Sequence, residues 1–287
     1  MRSRASGSGS RSGTPLGLKM RPTDLDLSRS LPPLLSALER GGGWDEAFIR
    51  FWVSLTGAPR PEWPPKDGRI NWIWLTDLER IDRVIDLGSA FGDVAADFAG
   101  ESAHVSYVGA PSLHGTIVEH RFRGEDAWID VDLRTTSPGA TLDGADCVVF
   151  VASEGWQERL PQWIGGASGV VRHAHRMLRP GGWFAFLGPN PVSESNLRAG
   201  VFGVPKALRA HRLLRGVLGG LRDAGFSRPR RYVVSPTHEL PVVLVPDHPR
   251  ALQAWGAQNV SDSGWRGRLP LALRTVSFEG ALVLAQR

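Results

Sequence analysis

The stretch Arg83-Val-Ile-Asp-Leu-Gly-Ser-Ala-Phe-Gly-Asp-Val-Ala-Ala-Asp-Phe-Ala99 constrains the fold more than any other. A short apolar run ends at Asp86, and small residues then alternate at Gly88, Ala90 and Gly92. Phe91, Val94, Ala95 and Phe98 follow at helical spacing. This pattern predicts a buried parallel strand, a tight turn free of bulky side chains, and a helix over 91–100 whose N-terminus points at whatever lies above the turn. Glycine lacks the Cβ that would keep a ligand off the backbone, so such a turn suits a nucleotide-like molecule. The spacing G-x-A-x-G is one residue short of the dinucleotide fingerprint G-x-G-x-x-G, and that reading is excluded.

Further segments have the same character. Asp146-Cys-Val-Val-Phe-Val-Ala152 reads as a second buried strand. Val170 to Arg179 is a helical stretch, and Arg179-Pro-Gly-Gly-Trp-Phe-Ala-Phe-Leu187 is a turn feeding a strand. Strands are predicted near 83–88, 104–109, 127–132, 146–152, 182–188, 230–235 and 277–285, with helices near 91–100, 111–120, 160–178 and 205–224. The alternation predicts an α/β fold with a doubly wound, seven-stranded, mostly parallel Rossmann-like sheet and an N-terminal helical extension. Pro111 suits a first helical position, and Gly225 sits where a helix C-terminal cap belongs.

Asp86-Leu-Gly-Ser-Ala-Phe-Gly92 resembles the first motif of class I S-adenosylmethionine-dependent methyltransferases. Leu178-Arg-Pro-Gly-Gly-Trp183 resembles their turn before the fifth strand, and Leu221-Arg-Asp-Ala-Gly-Phe226 the late helix end before their sixth. The match runs in family order over roughly residues 80 to 287. A more diffuse likeness involves Gly188-Pro-Asn190, Asn196-Leu-Arg-Ala-Gly200, Ala224-Gly-Phe226, Pro241-Val-Val-Leu-Val-Pro246 and Phe278-Glu-Gly-Ala-Leu-Val-Leu-Ala285. In these the chain is similar to methyltransferases found among polysaccharide-synthesis enzymes.

The resemblance implies a donor site. Asp86, Gly88, Ser89, Ala90 and Gly92 form its turn, and Ala152 flanks it. The family carries an acid for the ribose hydroxyls at the second strand's end, where this chain has Gly109, with Ser112 or Tyr107 as neutral substitutes. Asp132 matches the acid that reads adenine, with Leu133 beside it; Asp130 alternates onto the same face and is its rival. Methyl transfer to a hydroxyl also needs a base, and Glu154, after the fourth strand, is the candidate; a solvated loop glutamate is the alternative.

Three other signals are set aside. Asn190-Pro191 resembles the Asn-Pro-Pro-Tyr motif of amino-group methyltransferases, but follows the fifth strand rather than the fourth. His173 and His175, two apart on a predicted helix, face different directions. His238, beside Glu239, lacks a further ligand at metal-site spacing, so no metal is expected.

Of 34 Lys and Arg, five lie in residues 1–22 (Arg2, Arg4, Arg11, Lys19 and Arg21), leaving 29 against 29 Asp and Glu. The net charge of +5 is therefore a property of the tail, and a nucleic-acid groove on the body is not supported. Cys147 is the only cysteine, which excludes a disulfide and suits a reducing cytoplasm. No apolar run approaches the ~20 residues of a spanning helix, and residues 1–20 lack the apolar core of a signal peptide.

The chain therefore divides into a disordered basic tail (1–21), an N-terminal helical cap (22–80) and a methyltransferase-like domain (81–287). In the cap, a short helix begins at Leu34–Glu39, an apolar helix face covers 44–56, and an aromatic helix spans Ile70 to Ile81. The insertion 236–275 is read as a long loop containing a helix around Pro249–Gln258 and overhanging the acceptor site. The expectation is a cytoplasmic enzyme that uses S-adenosylmethionine to methylate a hydroxyl of a sugar or other small biosynthetic intermediate. The alternative is a catalytically inactive scaffold of the same fold.

Overall fold

The computed structural model describes residues 27–41, 43–56, 70–99, 104–108, 113–123, 142–152, 165–193, 195, 204–236, 241–259 and 278–287. Seven strands form one sheet: β1 (Arg83–Leu87), β2 (His104–Val108), β3 (Ala145–Val151), β4 (Leu178–Pro189), β5 (Arg230–Pro236), β6 (Pro241–Pro246) and β7 (Gly280–Gln286), in the order β2-β1-β3-β4-β7-β5-β6. Strands β2, β1, β3 and β4 pair in parallel, while β7 runs antiparallel to both β4 and β5, so β5 shares their direction. The sheet is thus mostly parallel, with β6 and β7 reversed.

Alternation along β1 sends Val84 and Asp86 to one face and Ile85 and Leu87 to the other. Helices α5 (Gly166–Met177) and α6 (Val204–Ala224) bury Val170, Ala174, Val217 and Leu221 against the face carrying Ile85, Val148, Phe150 and Phe184. Helices α3 (Asp93–Phe98) and α4 (Leu113–Arg123) cover the opposite face, where Val94, Phe98, Val118 and Phe122 meet Val84, Tyr107, Cys147 and Trp183. Helices on both faces make the fold doubly wound. Outside α4 lie α1 (Leu27–Glu39) and α2 (Trp44–Thr56), whose Leu31, Leu34, Phe48 and Phe51 pack with Ile117 and Phe91. None of the described helices is long and apolar enough to cross a membrane.

Two expectations change. The helix read over Ile70 to Ile81 is only a 3-10 turn, Asn71–Leu75. The Thr76 hydroxyl donates to the Ile73 carbonyl, the chain turns extended at Thr76, and the Asp77 carboxylate accepts from the Trp183 indole at 2.6 Å. Trp72 is fully buried against Phe98, whereas Trp74 is 85% exposed. Second, the segment read as a long loop before the final strand contains β6, an edge strand bounded by Pro241 and Pro246, as suits a strand unpaired on one side. It then forms α7 (Pro249–Asn259), where a helix was predicted. Neither of these outcomes bears on the strand predicted near 127–132 or on the tail, which lie outside the described residues.

The Arg-Pro-Gly-Gly turn serves the far edge of the sheet, where the strands begin. Asp146 accepts from the backbone N–H groups of Asp82 and Arg83, each at 2.8 Å, and from Arg179 Nε at 2.5 Å. Burial raises the Asp146 pKa, but these bonds outweigh it and hold the carboxyl below its ordinary value. A Cβ on Gly182 would come within 3.0 Å of the Ala145 and Arg179 carbonyl oxygens, which accounts for the glycine.

Candidate functional site

The chain leaves β1 for β2 on one side and later enters β3 on the other. Ligands in open α/β sheets bind in the crevice outside the carboxyl ends of strands at such a reversal. The Asp86–Gly92 turn stands there.

Asp86 is fully buried, and its carboxylate organises the turn. Oδ1 accepts from the Ser89 N–H at 3.0 Å; Oδ2 accepts from the Ser89 hydroxyl at 2.5 Å and from the Ala95 N–H at 2.9 Å. Ser89 Oγ in turn accepts from the Val94 N–H at 3.3 Å. Gly92, the N-cap of α3, has no side chain to bond the first-turn N–H groups, so Asp86 and Ser89 satisfy two of them from beneath. Those groups therefore point inward, not at the space above the turn as the sequence suggested. Burial pushes the Asp86 pKa up to about 6; the bonds from Ser89 and Ala95 oppose the rise, and the nearby Asp93 charge adds to it.

Gly88 adopts φ +76° and Gly92 φ +69°, left-handed values that favour glycine. A Cβ on Gly92 would lie 2.8 Å from the Phe122 ring and 3.2 Å from Val118, so this glycine also answers to packing on α4. Phe91 is not on the face of α3, as its spacing suggested. It lies in a 3-10 turn, Ala90–Gly92, at φ +57°, a conformation that is uncommon outside glycine and an outlier for a bulky side chain. Its ring meets Phe48, Phe51 and Trp44 of α2 at centroid distances of 5.4, 6.1 and 6.1 Å. Arg121 of α4 donates to the Phe91 carbonyl at 2.6 Å, pairs with Asp93 at 2.8 Å and stacks over Trp44 at 4.5 Å. Two outer elements thus hold one strained residue of the turn. The Trp44, Phe48 and Phe51 periodicity was visible in the sequence; Arg121 gave no local signal.

Tyr107 is buried under the turn and donates its hydroxyl to the Ser89 carbonyl at 3.3 Å, so that hydroxyl serves the turn. Ala152 closes the top of β3, its N–H bonded to the Leu187 carbonyl at 2.8 Å. Asn190 is buried and bonds the Phe278 carbonyl, a structural tie between the end of β4 and the start of β7. The His175 ring packs edge-on to Phe226. Asp86, Gly88, Ser89, Ala90 and Gly92 are brought together, with Ala152 at the end of the neighbouring strand β3. Gly109, Ser112, Asp130, Asp132, Leu133, Glu154, His238 and Glu239 lie outside the described residues.

No protein-family model matches the chain, and no curated protein does. Among solved structures, the chain is similar to the geranyl diphosphate C-methyltransferase of Streptomyces coelicolor (15% identity over 84% of each chain, TM-score 0.45). It is likewise similar to an S-adenosylmethionine-dependent methyltransferase of Mesorhizobium loti (18% identity over 78% of this chain and 100% of that one, TM-score 0.45). A third is a phosphoethanolamine N-methyltransferase of Haemonchus contortus (15% identity, 84% of this chain and 56% of that one, TM-score 0.47). The functional reading therefore rests on the geometry of the site.

Proposed function

We propose that the chain is an S-adenosylmethionine-dependent methyltransferase acting on a hydroxyl of a sugar or other small biosynthetic intermediate. The observation that carries this reading is the Asp86–Ser89 network, which fixes a left-handed Gly88 at the carboxyl end of β1, beside the strand reversal. When bound, the donor supplies an electrophilic methyl group on a sulfonium. Asp86 and Ser89 hold the turn's shape, and Gly88 and Ala90 keep it free of bulk where the donor's amino-acid arm would lie. Gly92 sets the entry of α3. Gly109, Asp132, Leu133 and Ala152 would surround the nucleoside, with Asp132 reading adenine, and Glu154 would take the acceptor's proton.

A second reading, a methyltransferase-fold scaffold without catalysis, is favoured by one observation. Gly109 offers the ribose no carboxylate, and the Tyr107 hydroxyl serves the Ser89 carbonyl instead. Titration calorimetry of the full chain with S-adenosylmethionine and its demethylated product separates the two. Binding is expected, with an affinity gain of about tenfold to a hundredfold in Gly109→Glu, which restores a charged partner for two hydroxyls. Two folded proteins that both give no heat would exclude the enzyme.

A further inference from the structure

Helix α6 shows its neighbours two different faces. Gly216 and Gly220 lie against α5, where added Cβ atoms would meet Ala167 Cβ at 3.0 Å and Ser168 Cα at 2.9 Å. Ala210, Val217 and Leu221 are buried beside them. The helix is therefore held closely against α5, and Val204, Leu208, His211, Arg212, Arg215 and Arg222 are exposed on its other side. Positions 204, 208, 211, 212, 215 and 222 share that side within an arc of about 100°, a single stripe about 27 Å long.

The stripe's composition is unlike an ordinary solvated face, which mixes charges of both signs. On this side stand Arg212, Arg215 and Arg222, with Asp223 at its margin as the single acid of α6, while Lys206 and Arg209 fall on other sides of the helix. Arg222 approaches Asp223 at 3.4 Å, and Arg231, which adjoins the stripe from β5, pairs with Asp247 at 2.7 Å. Among the described residues, Arg212 and Arg215 meet no carboxylate. Between His211, Arg215, Leu218, Arg222 and Arg231 lies an open hollow of about 430 Å³. At the other end of the stripe, Val204 and Leu208 are 53% and 51% exposed.

Topology orients this stripe. β4 ends at Pro189 on the same edge of the sheet as the Gly88 turn, and β5, running in the same direction, starts at Arg230 on the opposite edge. Helix α6 connects them, so its Val204 end lies toward the edge carrying the candidate site.

We propose that the outward stripe of α6 docks on an anionic lipid bilayer. Arg212, Arg215, Arg222 and Arg231 take headgroup phosphates, and Val204 and Leu208 enter the headgroup boundary. Cations spread along a line, with two apolar side chains at one end, match an array of phosphates at an interface. An acidic protein partner is the poorer match, because the buried core of a protein interface is apolar and this stripe has only two exposed apolar side chains. The surface would hold the candidate site's edge near lipid, and this inference does not depend on donor binding.

The test is vesicle flotation of the full chain without donor, using phosphatidylcholine vesicles with and without phosphatidylglycerol. Binding is expected only to the anionic vesicles and should weaken as salt rises. Arg212→Glu/Arg215→Glu should reduce partitioning by at least about thirtyfold, while Arg212→Lys/Arg215→Lys keeps the charge and the binding. Leu208→Ser should weaken binding severalfold at high salt, where the apolar contact dominates. The basic tail is present in every variant, so the difference reports α6 alone, and melting curves confirm that the exposed substitutions leave the fold intact. Equal binding to neutral vesicles or unchanged binding of the double Glu variant would each overturn the proposal.

Discussion

Asp86 gives the structure a pH dependence opposite to that of most carboxylates. Its pKa rises from an ordinary 3.8 to about 6, chiefly because burial disfavours the charged form. The native state therefore binds the proton more tightly than the unfolded chain. Stability from this group is full below about pH 3.8 and is lost as pH rises through 6. In the limit the difference is about 3 kcal/mol, of which about 2 kcal/mol disappears between pH 4 and pH 6. Other carboxylates, such as Asp146 with its lowered pKa, work in the opposite sense and would mask the effect in the wild type alone. The assay is urea unfolding of the wild type and Asp86→Asn at matched pH from 4 to 8. Asparagine does not titrate, so the difference between the proteins isolates Asp86. At pH 4 the protonated Asp86 carboxyl can give its O–H to Ser89 Oγ and still has both oxygens to accept the Ser89 and Ala95 N–H groups, whereas asparagine has one oxygen and turns its NH₂ toward the other donor, so Asp86→Asn should be the less stable protein there. The gap should narrow by about 2 kcal/mol by pH 6. A gap that stays constant, or widens as pH rises, would refute the claim that burial dominates at Asp86.

The glycines of the turn give two further outcomes. Gly92→Ala imposes a left-handed alanine and crowds Phe122, so a loss of about 2–4 kcal/mol is expected by urea unfolding. Adding Phe122→Leu should recover the crowding component while leaving the backbone component. At Gly88, Val and Asn both add a side chain, but Asn tolerates the left-handed region better. Gly88→Asn should therefore unfold about 1 kcal/mol later than Gly88→Val, while calorimetry shows donor binding lost in both; donor affinity unchanged in the Asn variant would move the site elsewhere.

What the sequence disclosed, and what it did not, follows the range of the interactions. Helix α2 begins and ends where its aromatic spacing predicts, because Phe48 and Phe51 form one apolar face. Gly225 ends α6 with φ +82°, and the Phe226 N–H bonds back to the Leu221 carbonyl, a cap written in adjacent residues. Residues 70–81 misled because their conformation depends on Trp183, 106 positions from Asp77. Phe91 misled for the same reason: helical spacing placed it on α3, but contacts to α2 and Arg121 hold it left-handed. Strand β6 fell inside the segment 236–275, read as a long loop, and its run Pro241–Pro246 entered only through the diffuse family likeness.

The two most legible motifs serve opposite ends of the same sheet, and this separates fold from function. The Arg-Pro-Gly-Gly turn is spent on structure: Arg179 pairs with Asp146, Gly182 clears two carbonyl oxygens, and Trp183 is held by Asp77 and stacked by Arg230 at 4.9 Å. The Asp86–Gly92 turn spends the polar groups of Asp86 and Ser89 on its own backbone and on the first turn of α3. Such a turn sets where a donor would lie but supplies little charge to hold it. Under the proposed function, discrimination between a working transferase and a silent one would come from carboxylates at neighbouring strand ends, and the residue that follows β2 in the sequence is Gly109. That is why restoring a single carboxylate there, rather than altering the turn, is the decisive perturbation.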